Sequence, residues 1–247
     1  MPTPTPTSSA IWMPKPLTTF QWQISGDSID YNIDAQAYDV DAFDASKDTI
    51  DILHKKGKKV ICYVNVGSYE DWRSDKNSFP ASILGKDYSG WPGEKWLDTR
   101  KLNLLGPIMK KRFDMAKQKG CDSIEPDNMD NHEANSGFAI TYQDQLKYNI
   151  WIANEVHSRG MSVGLKNNSG QLKDLLSYYD WALTESCYDQ GWCDDMLPFT
   201  KSNKAVFQVE YTENGTTLNQ FCPQAKKNQF TGILKHRILD AWVQVCK

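Results

Sequence analysis

The sequence predicts an α/β fold, a single TIM-like (β/α)8 barrel, and three observations carry that expectation. Eight short β-rich runs recur between residue 18 and the C-terminus, most of them followed by a run with helical spacing. Nearly every run ends in a polar or charged side chain, mostly acidic, as the working rim of a barrel would. The competing architecture, a doubly wound open sheet, wants a glycine-rich phosphate loop after its first strand, and Ile24-Ser-Gly-Asp-Ser is not one.

Taken in order, residues 1–17 are rich in Pro, Thr and Ser and read as a linker or stalk, leaving 18–247 as one domain. The stretch has no apolar centre like that of a signal peptide, so a targeting or anchoring segment is expected upstream of this sequence. Residues 18–24 form the first strand and 36–41 the second. Residues 47–56 have helical spacing at Ile50 and Leu53 and stop at Gly57. The third strand covers 59–66. A long excursion follows from 67 to 103, rich in Ser, Gly, Asp and Trp, and loops of that length in a compact domain usually form lids or binding walls. Residues 104–119 are helical, and the fourth strand starts at Cys121. Residues 142–159 carry Leu146, Ile150, Ala153 and Val156 on one stripe and predict an amphipathic helix. Strands at 161–165, 181–185, 204–210 and 230–234 complete the set, with helices at 172–178 and 217–226.

Barrel function lies at the C-terminal ends of the strands. Those ends, with the loops beside them, offer Trp22, Asp39, Tyr63, Asn65, Glu125, Asp127, Asn128, Lys166, Asn167, Glu185, Tyr188, Glu210 and Tyr211. The sharpest signal is Gly120-Cys-Asp-Ser-Ile-Glu-Pro-Asp-Asn-Met-Asp. Period two puts Glu125 and Asp127 on one face, and Pro126 holds Glu125 extended. Like charges this close repel, so a strand that ends this way has a use for them. Two carboxylates from different strands facing one cleft are what glycosidic-bond hydrolysis needs. Asp127 and Glu185 are the expected catalytic pair, with Glu185 suited to proton donation because it ends the apolar run Trp181-Ala-Leu-Thr. The plain alternative for Glu185 is an ion pair with Lys166 or Lys235.

Other chemistries find no support. The net charge of −3 argues against a nucleic-acid partner. There is no Gly-x-Ser-x-Gly elbow, and Gly164-Leu-Lys-Asn-Asn-Ser-Gly is not a phosphate loop. His54, His132, His157 and His236 lack metal-ligand spacing, so neither a metal nor another cofactor is expected. A Schiff-base role for Lys166 is less expected than a lysine held by Asp127 or Glu185. No stretch is long and apolar enough to span a membrane. Six cysteines fit three disulfides and an oxidising compartment. Cys187 and Cys193 bracket a short loop, Cys222 and Cys246 would tie the last helix to the C-terminus, and Cys62 is left with Cys121. Asn167 and Asn214 head glycosylation sequons. Nine tryptophans and eleven tyrosines raise a carbohydrate expectation, with Trp22, Tyr63, Trp91, Trp96, Tyr188 and Trp192 as candidate sugar platforms.

The blocks Val60-Ile-Cys-Tyr-Val-Asn-Val-Gly, Trp96-Leu-Asp-Thr-Arg, the Glu125-Pro-Asp-Asn stretch and Gly164-Leu-Lys-Asn come in an order that resembles glycoside hydrolase family 114, the endo-α-1,4-polygalactosaminidases, in a fungal secreted form. The likeness covers residues 18–247. It implies a barrel that cleaves within α-1,4-linked galactosamine polymers such as galactosaminogalactan, with its catalytic carboxylates at Asp127 and Glu185. The strand-four and strand-six placement is similar to that of retaining α-galactosidase-type barrels, which implies Asp127 as nucleophile and Glu185 as acid/base. Relatives often carry Asp-Pro-Asp-Asn where this chain has Glu125. Deacetylated galactosamine is cationic, so Asp39, Asp98, Glu125 and Glu210 are expected to pair with substrate ammonium groups, more weakly as salt rises. A monomer outside the cell is the expectation. A non-catalytic, lectin-like barrel and an α-glycosidase acting on N-acetylgalactosamine or galactose polymers are the alternatives.

Overall fold

A computed structural model describes residues 11–26 and 28–247. Eight parallel strands run round a curled sheet in chain order. They are β1 (Phe20–Trp22), β2 (Ala37–Asp41), β3 (Lys59–Asn65), β4 (Ser123–Asp127), β5 (Ser162–Lys166), β6 (Trp181–Glu185), β7 (Val206–Tyr211) and β8 (Thr231–Lys235). The seam between β8 and β1 is held by other bonds than a strand ladder. Thr231 Oγ1 donates to the Thr18 carbonyl (2.9 Å), Gln21 Nε2 to the Ala241 carbonyl (2.8 Å), and Ile24 N to the Leu239 carbonyl (3.1 Å).

The two-residue period of the strands divides the apolar core. Phe20, Trp22, Ile61, Leu183, Val209 and Ile233 fill the barrel interior, whereas Val60, Val64, Ile124, Val163, Leu165 and Val206 point outward and pack beneath the helices. The helices start where their caps say they should. Ser46 accepts from Thr49 N at the head of α1 (Lys47–Lys55), and Thr141 and Asp144 form a reciprocal capping box on α3 (Tyr142–His157). Between them, α2 (Leu102–Lys119) begins two residues before the expected start, carries Pro107 within its second turn, and stops at Gly120 with φ 104°.

Two regions differ from the sequence expectation. The excursion after β3 is not loop throughout. Ser68–Glu70, Glu94–Leu97 and Leu84–Asp87 pair antiparallel into a separate three-stranded sheet that stands over the barrel mouth. Of the proposed linker, residues 1–10 lie outside the described residues. Residues 11–17 pack against the barrel base, where the Pro14 carbonyl accepts from Ala205 N (3.2 Å) and Trp12 rests on the interior cluster. Three disulfides join Cys62–Cys121, Cys187–Cys193 and Cys222–Cys246. Among the described residues no helix is long and apolar enough to cross a membrane.

Candidate active site

Strands β4 to β7 aim their last inward side chains, Asp127, Lys166, Glu185 and Tyr211, at one point. Register pairs Tyr63 with Glu125 and Asn65 with Asp127 across β3 and β4, and β5 and β6 bring up Lys166 and Glu185. The centre of the group is Lys166. Its ammonium lies 2.9 Å from Glu125 Oε1, 2.9 Å from Asp127 Oδ1 and 3.0 Å from Glu185 Oε2, and 4.7 Å over the Trp22 ring. One nitrogen therefore bridges the two catalytic candidates and keeps those oxygens within about 5.9 Å of each other. Burial alone would lower this ammonium, but the charges of Asp127, Glu125 and Glu185 outweigh it and hold Lys166 well above its usual range. A lysine so held stays protonated, which is unsuited to Schiff-base chemistry.

Exposure separates the three carboxylates. The side chains of Asp127 and Glu185 are 19% and 28% exposed at the cleft, while Glu125 is sealed at 1%. Burial pushes the Glu125 carboxyl up to about 7, with Lys166 opposing the rise. Asp39 lies fully buried beside it, and burial first, then the Glu125 charge, push Asp39 well above the carboxylate range. Both Asp39 oxygens and Glu125 Oε2 lack any other donor, as they would if a protonated Asp39 gives its hydrogen to Glu125.

Each exposed carboxylate has a phenol partner. Tyr63 donates to Asp127 Oδ2 (3.0 Å), and Tyr211 donates to Glu185 Oε1. Burial raises both phenols well above their usual value, so both remain donors. Asn167 grips Glu185 twice, giving Nδ2 to Oε2 (3.3 Å) and accepting from Glu185 N at Oδ1 (2.9 Å). The residues just past β4, β5 and β6, namely Asn128, Asn167 and Ser186, have φ of 59°, 49° and 54°. Left-handed backbone at a non-glycine residue is costly, and such strain gathers where the chain must aim a side chain.

The cleft above this floor has a volume of about 680 Å³. Of the residues singled out from sequence, Trp22, Tyr63, Asp127, Asn128, Lys166, Asn167, Glu185, Tyr211, Trp91 and Trp192 line it. Others do not. Asn65 is buried behind the wall, its amide bonded to Ser68 Oγ (2.6 Å). Asp98 is buried and clamped by Arg100 at 2.7 and 2.8 Å. Tyr188 packs against Phe221, and Trp96 backs the Tyr88 ring at 4.4 Å. Glu210 faces away from the barrel axis. Phe207, Val209 and Tyr211 take the inward positions of β7, so period two turns Glu210 outward, where Oε1 accepts from Tyr188 N (2.8 Å) and Gln208 Nε2 (3.1 Å). Asp39 and Glu125 lie below the floor, out of reach of a substrate ammonium.

Residues that sequence reasoning did not single out come from the excursion and from other rim loops. Glu70, Trp72, Arg73, Tyr88 and Glu94 line the cleft, together with Asp44, Glu133 and Arg237, and Asp41 at the end of β2 and Asp130 at the end of the Gly120–Asp130 stretch line it as well. Arg73 is spent on Asp41 (2.9 and 2.6 Å) and Glu70 (2.8 Å). Burial, eased by the Ser68 hydroxyl, takes Glu94 up to about 7, and burial with the Asp127 charge takes Asp130 up to about 6. The length of the 67–103 segment was the available signal. Among the described residues, the one cluster with metal-like donors is Cys187, Cys193 and Glu210, whose sulfurs are joined to each other.

The family model for glycoside hydrolase family GH114 matches residues 1–247. Among solved structures, the chain is similar to Ega3 of Aspergillus fumigatus in complex with galactosamine, at 36% identity and a TM-score of 0.92, with 98% of this chain and 100% of that one covered. It shares a fold with the glycoside hydrolase domain of PelA from Pseudomonas aeruginosa, at 12% identity and a TM-score of 0.72, covering 92% of this chain and 96% of that one. The trehalulose synthase MutB from Pseudomonas mesoacidophila shares the barrel alone, at 12% identity and a TM-score of 0.52, covering 84% of this chain and 58% of that one. A comparison with curated protein sequences gave no match. On the family match over its whole length and the likeness to Ega3, the chain belongs to glycoside hydrolase family GH114.

Proposed function

We propose that this glycoside hydrolase cleaves within α-1,4-linked galactosamine polymers by a retaining mechanism, with Asp127 as nucleophile and Glu185 as acid/base. The observation that carries the reading is the Lys166 bridge. It keeps the Lys166-bound oxygens of the two carboxylates no more than about 5.9 Å apart, a ceiling that admits the roughly 5–5.5 Å of retaining pairs and lies short of the roughly 6.5–9.5 Å that leaves room for an inverting water. The acidic cleft and the likeness to a galactosamine-bound Ega3 support a cationic amino sugar. The three disulfides support an extracellular setting, and a monomer is proposed with it.

In the first half-reaction Asp127 Oδ attacks the anomeric carbon as the carbon–oxygen bond to the leaving sugar breaks, and the Glu185 proton passes to the leaving oxygen. In the second, water attacks the same carbon, its proton goes to Glu185, and the bond to Asp127 breaks. Lys166 aligns both carboxylates throughout, and Tyr63 and Asn167 fix their rotamers. Neither half-reaction requires a cofactor.

The test is release of oligomers from partly deacetylated α-1,4-galactosamine polymer, read by mass spectrometry. Asp127→Asn and Glu185→Gln should each lower release by about 100-fold or more while keeping the wild-type melting temperature. Binding without cleavage by the wild type, or full activity in either variant, would overturn the proposal.

A further inference from the structure

The cleft is divided by charge, and the division follows the order of the strands. Asp41 ends β2, and Asp44, Glu70, Glu94, Asp130 and Glu133 follow on the rim segments after β2, β3 and β4. They face one guanidinium, Arg73, which is already bonded to Asp41 and Glu70. The rim after β6 and β8, across the barrel mouth, supplies Ser186, Gln190, Trp192, Arg237, Ile238 and Leu239, with no carboxylate among them. Arg237 has no carboxylate within 4.0 Å of its guanidinium among the described residues; that group stacks 4.9 Å over the Tyr211 ring and donates to Asn214 Oδ1 (2.8 Å). The Tyr211 hydroxyl in turn donates to Glu185. Arg237 is thus one aromatic ring away from the acid/base, beside Ile238, which is 61% exposed.

The two catalytic roles give this polarity a direction. The acid/base protonates the leaving oxygen, so its side of the cleft holds the leaving sugar, and the nucleophile's side holds the sugar whose anomeric carbon reacts. Asp127 belongs to the acidic half and Glu185 to the half with Arg237. An ammonium entering the acidic half meets six carboxylates against the single guanidinium of Arg73, whereas one entering the other half meets Arg237, an exposed guanidinium with no carboxylate partner of its own among the described residues.

We propose that the enzyme reads a mixed polymer asymmetrically, taking cationic galactosamine on the Asp127 side and a neutral, N-acetylated sugar on the Arg237 side of the scissile bond. This deepens the proposed function and rests on it. The acetyl methyl finds apolar surface at Ile238 and Trp192, and Arg237 disfavours the free amine. Cleavage then falls at junctions from deacetylated to acetylated stretches. New reducing ends are galactosamine, and new non-reducing ends are enriched in N-acetylgalactosamine.

A brief digest of randomly half-acetylated α-1,4-galactosamine polymer in ¹⁸O-water marks the new reducing ends, and tandem mass spectrometry then reads the sugar at each end. The wild type should show N-acetylgalactosamine at new non-reducing ends about threefold or more above the polymer average. Arg237→Gln should bring that end to the average and Arg237→Glu should favour galactosamine there, both leaving the reducing-end composition unchanged. Cleavage with equal composition at both ends, or variants that alter both ends alike, overturns this inference alone. No oligomer release at any degree of acetylation overturns the proposed function and this inference with it.

Discussion

Glu94 stands at the cleft wall with its carboxyl pushed up to about 7 by burial, and Ser68 Oγ donates to it at 2.6 Å. A carboxyl raised in the folded state contributes stability that is complete below its unfolded value near 4.5 and is lost as pH rises through about 7. Glu94→Gln keeps an acceptor for Ser68 and removes the charge. It should leave the melting temperature unchanged at pH 5 and stabilise the protein at pH 8 by about 1 kcal/mol, after discounting for partial exposure. The same variant should raise KM for cationic substrate severalfold, because an amide does not pair with an ammonium. Equal stabilisation at both pH values would show that Glu94 does not titrate in this window. At this scale the sequence was legible where a residue ended a strand on the inward parity. Asp127, Lys166, Glu185 and Tyr211 all do, and all meet in the cleft. Glu210 was beyond reach for the same reason. It is adjacent to Tyr211, and successive residues face opposite sides, so only one of the two looks inward.

At the scale of elements, β5 shows how tightly the strands are fitted under the site. Its inward row is Ser162, Gly164 and Lys166, and a Cβ on Gly164 would come within 2.5–2.7 Å of the Trp181 ring. Trp181 is buried and donates Nε1 to Ser123 Oγ (2.9 Å), so it has little freedom to retreat. Gly164→Ala should destabilise the protein by roughly 1–3 kcal/mol and lower turnover, since Lys166 is two residues further along the same strand. Urea melts check the first expectation, and a loss below about 0.5 kcal/mol would mean that Trp181 repacks freely. The eight barrel strands were legible because apolar β-branched runs alternate with capped helices. The three-stranded sheet over the mouth was not. Its strands are short and irregular, with a register shift between Leu84 and Asp87, and they pair only with one another. Their assembly is tertiary, so no local pattern announces it.

Over the whole molecule, the modest net charge of −3 conceals a strong local separation, with carboxylates gathered on the half of the cleft fed by β2, β3 and β4. That gathering was only partly legible, because Glu70, Glu94 and Glu133 reach the site on segments whose path the sequence does not state. The barrel holds the separation in place, and Lys166 is its pivot, pulling one carboxylate from each half of the cleft onto a single nitrogen. That short bridge has a stereochemical consequence. The most direct measurement is proton NMR of the first products from α-1,4-galactosamine oligomers, recorded faster than the reducing ends mutarotate. The pair as placed predicts the α-anomer first, with β appearing only on mutarotation. The β-anomer first would mean that a water, not Asp127, attacks the sugar, and would contradict the assignment.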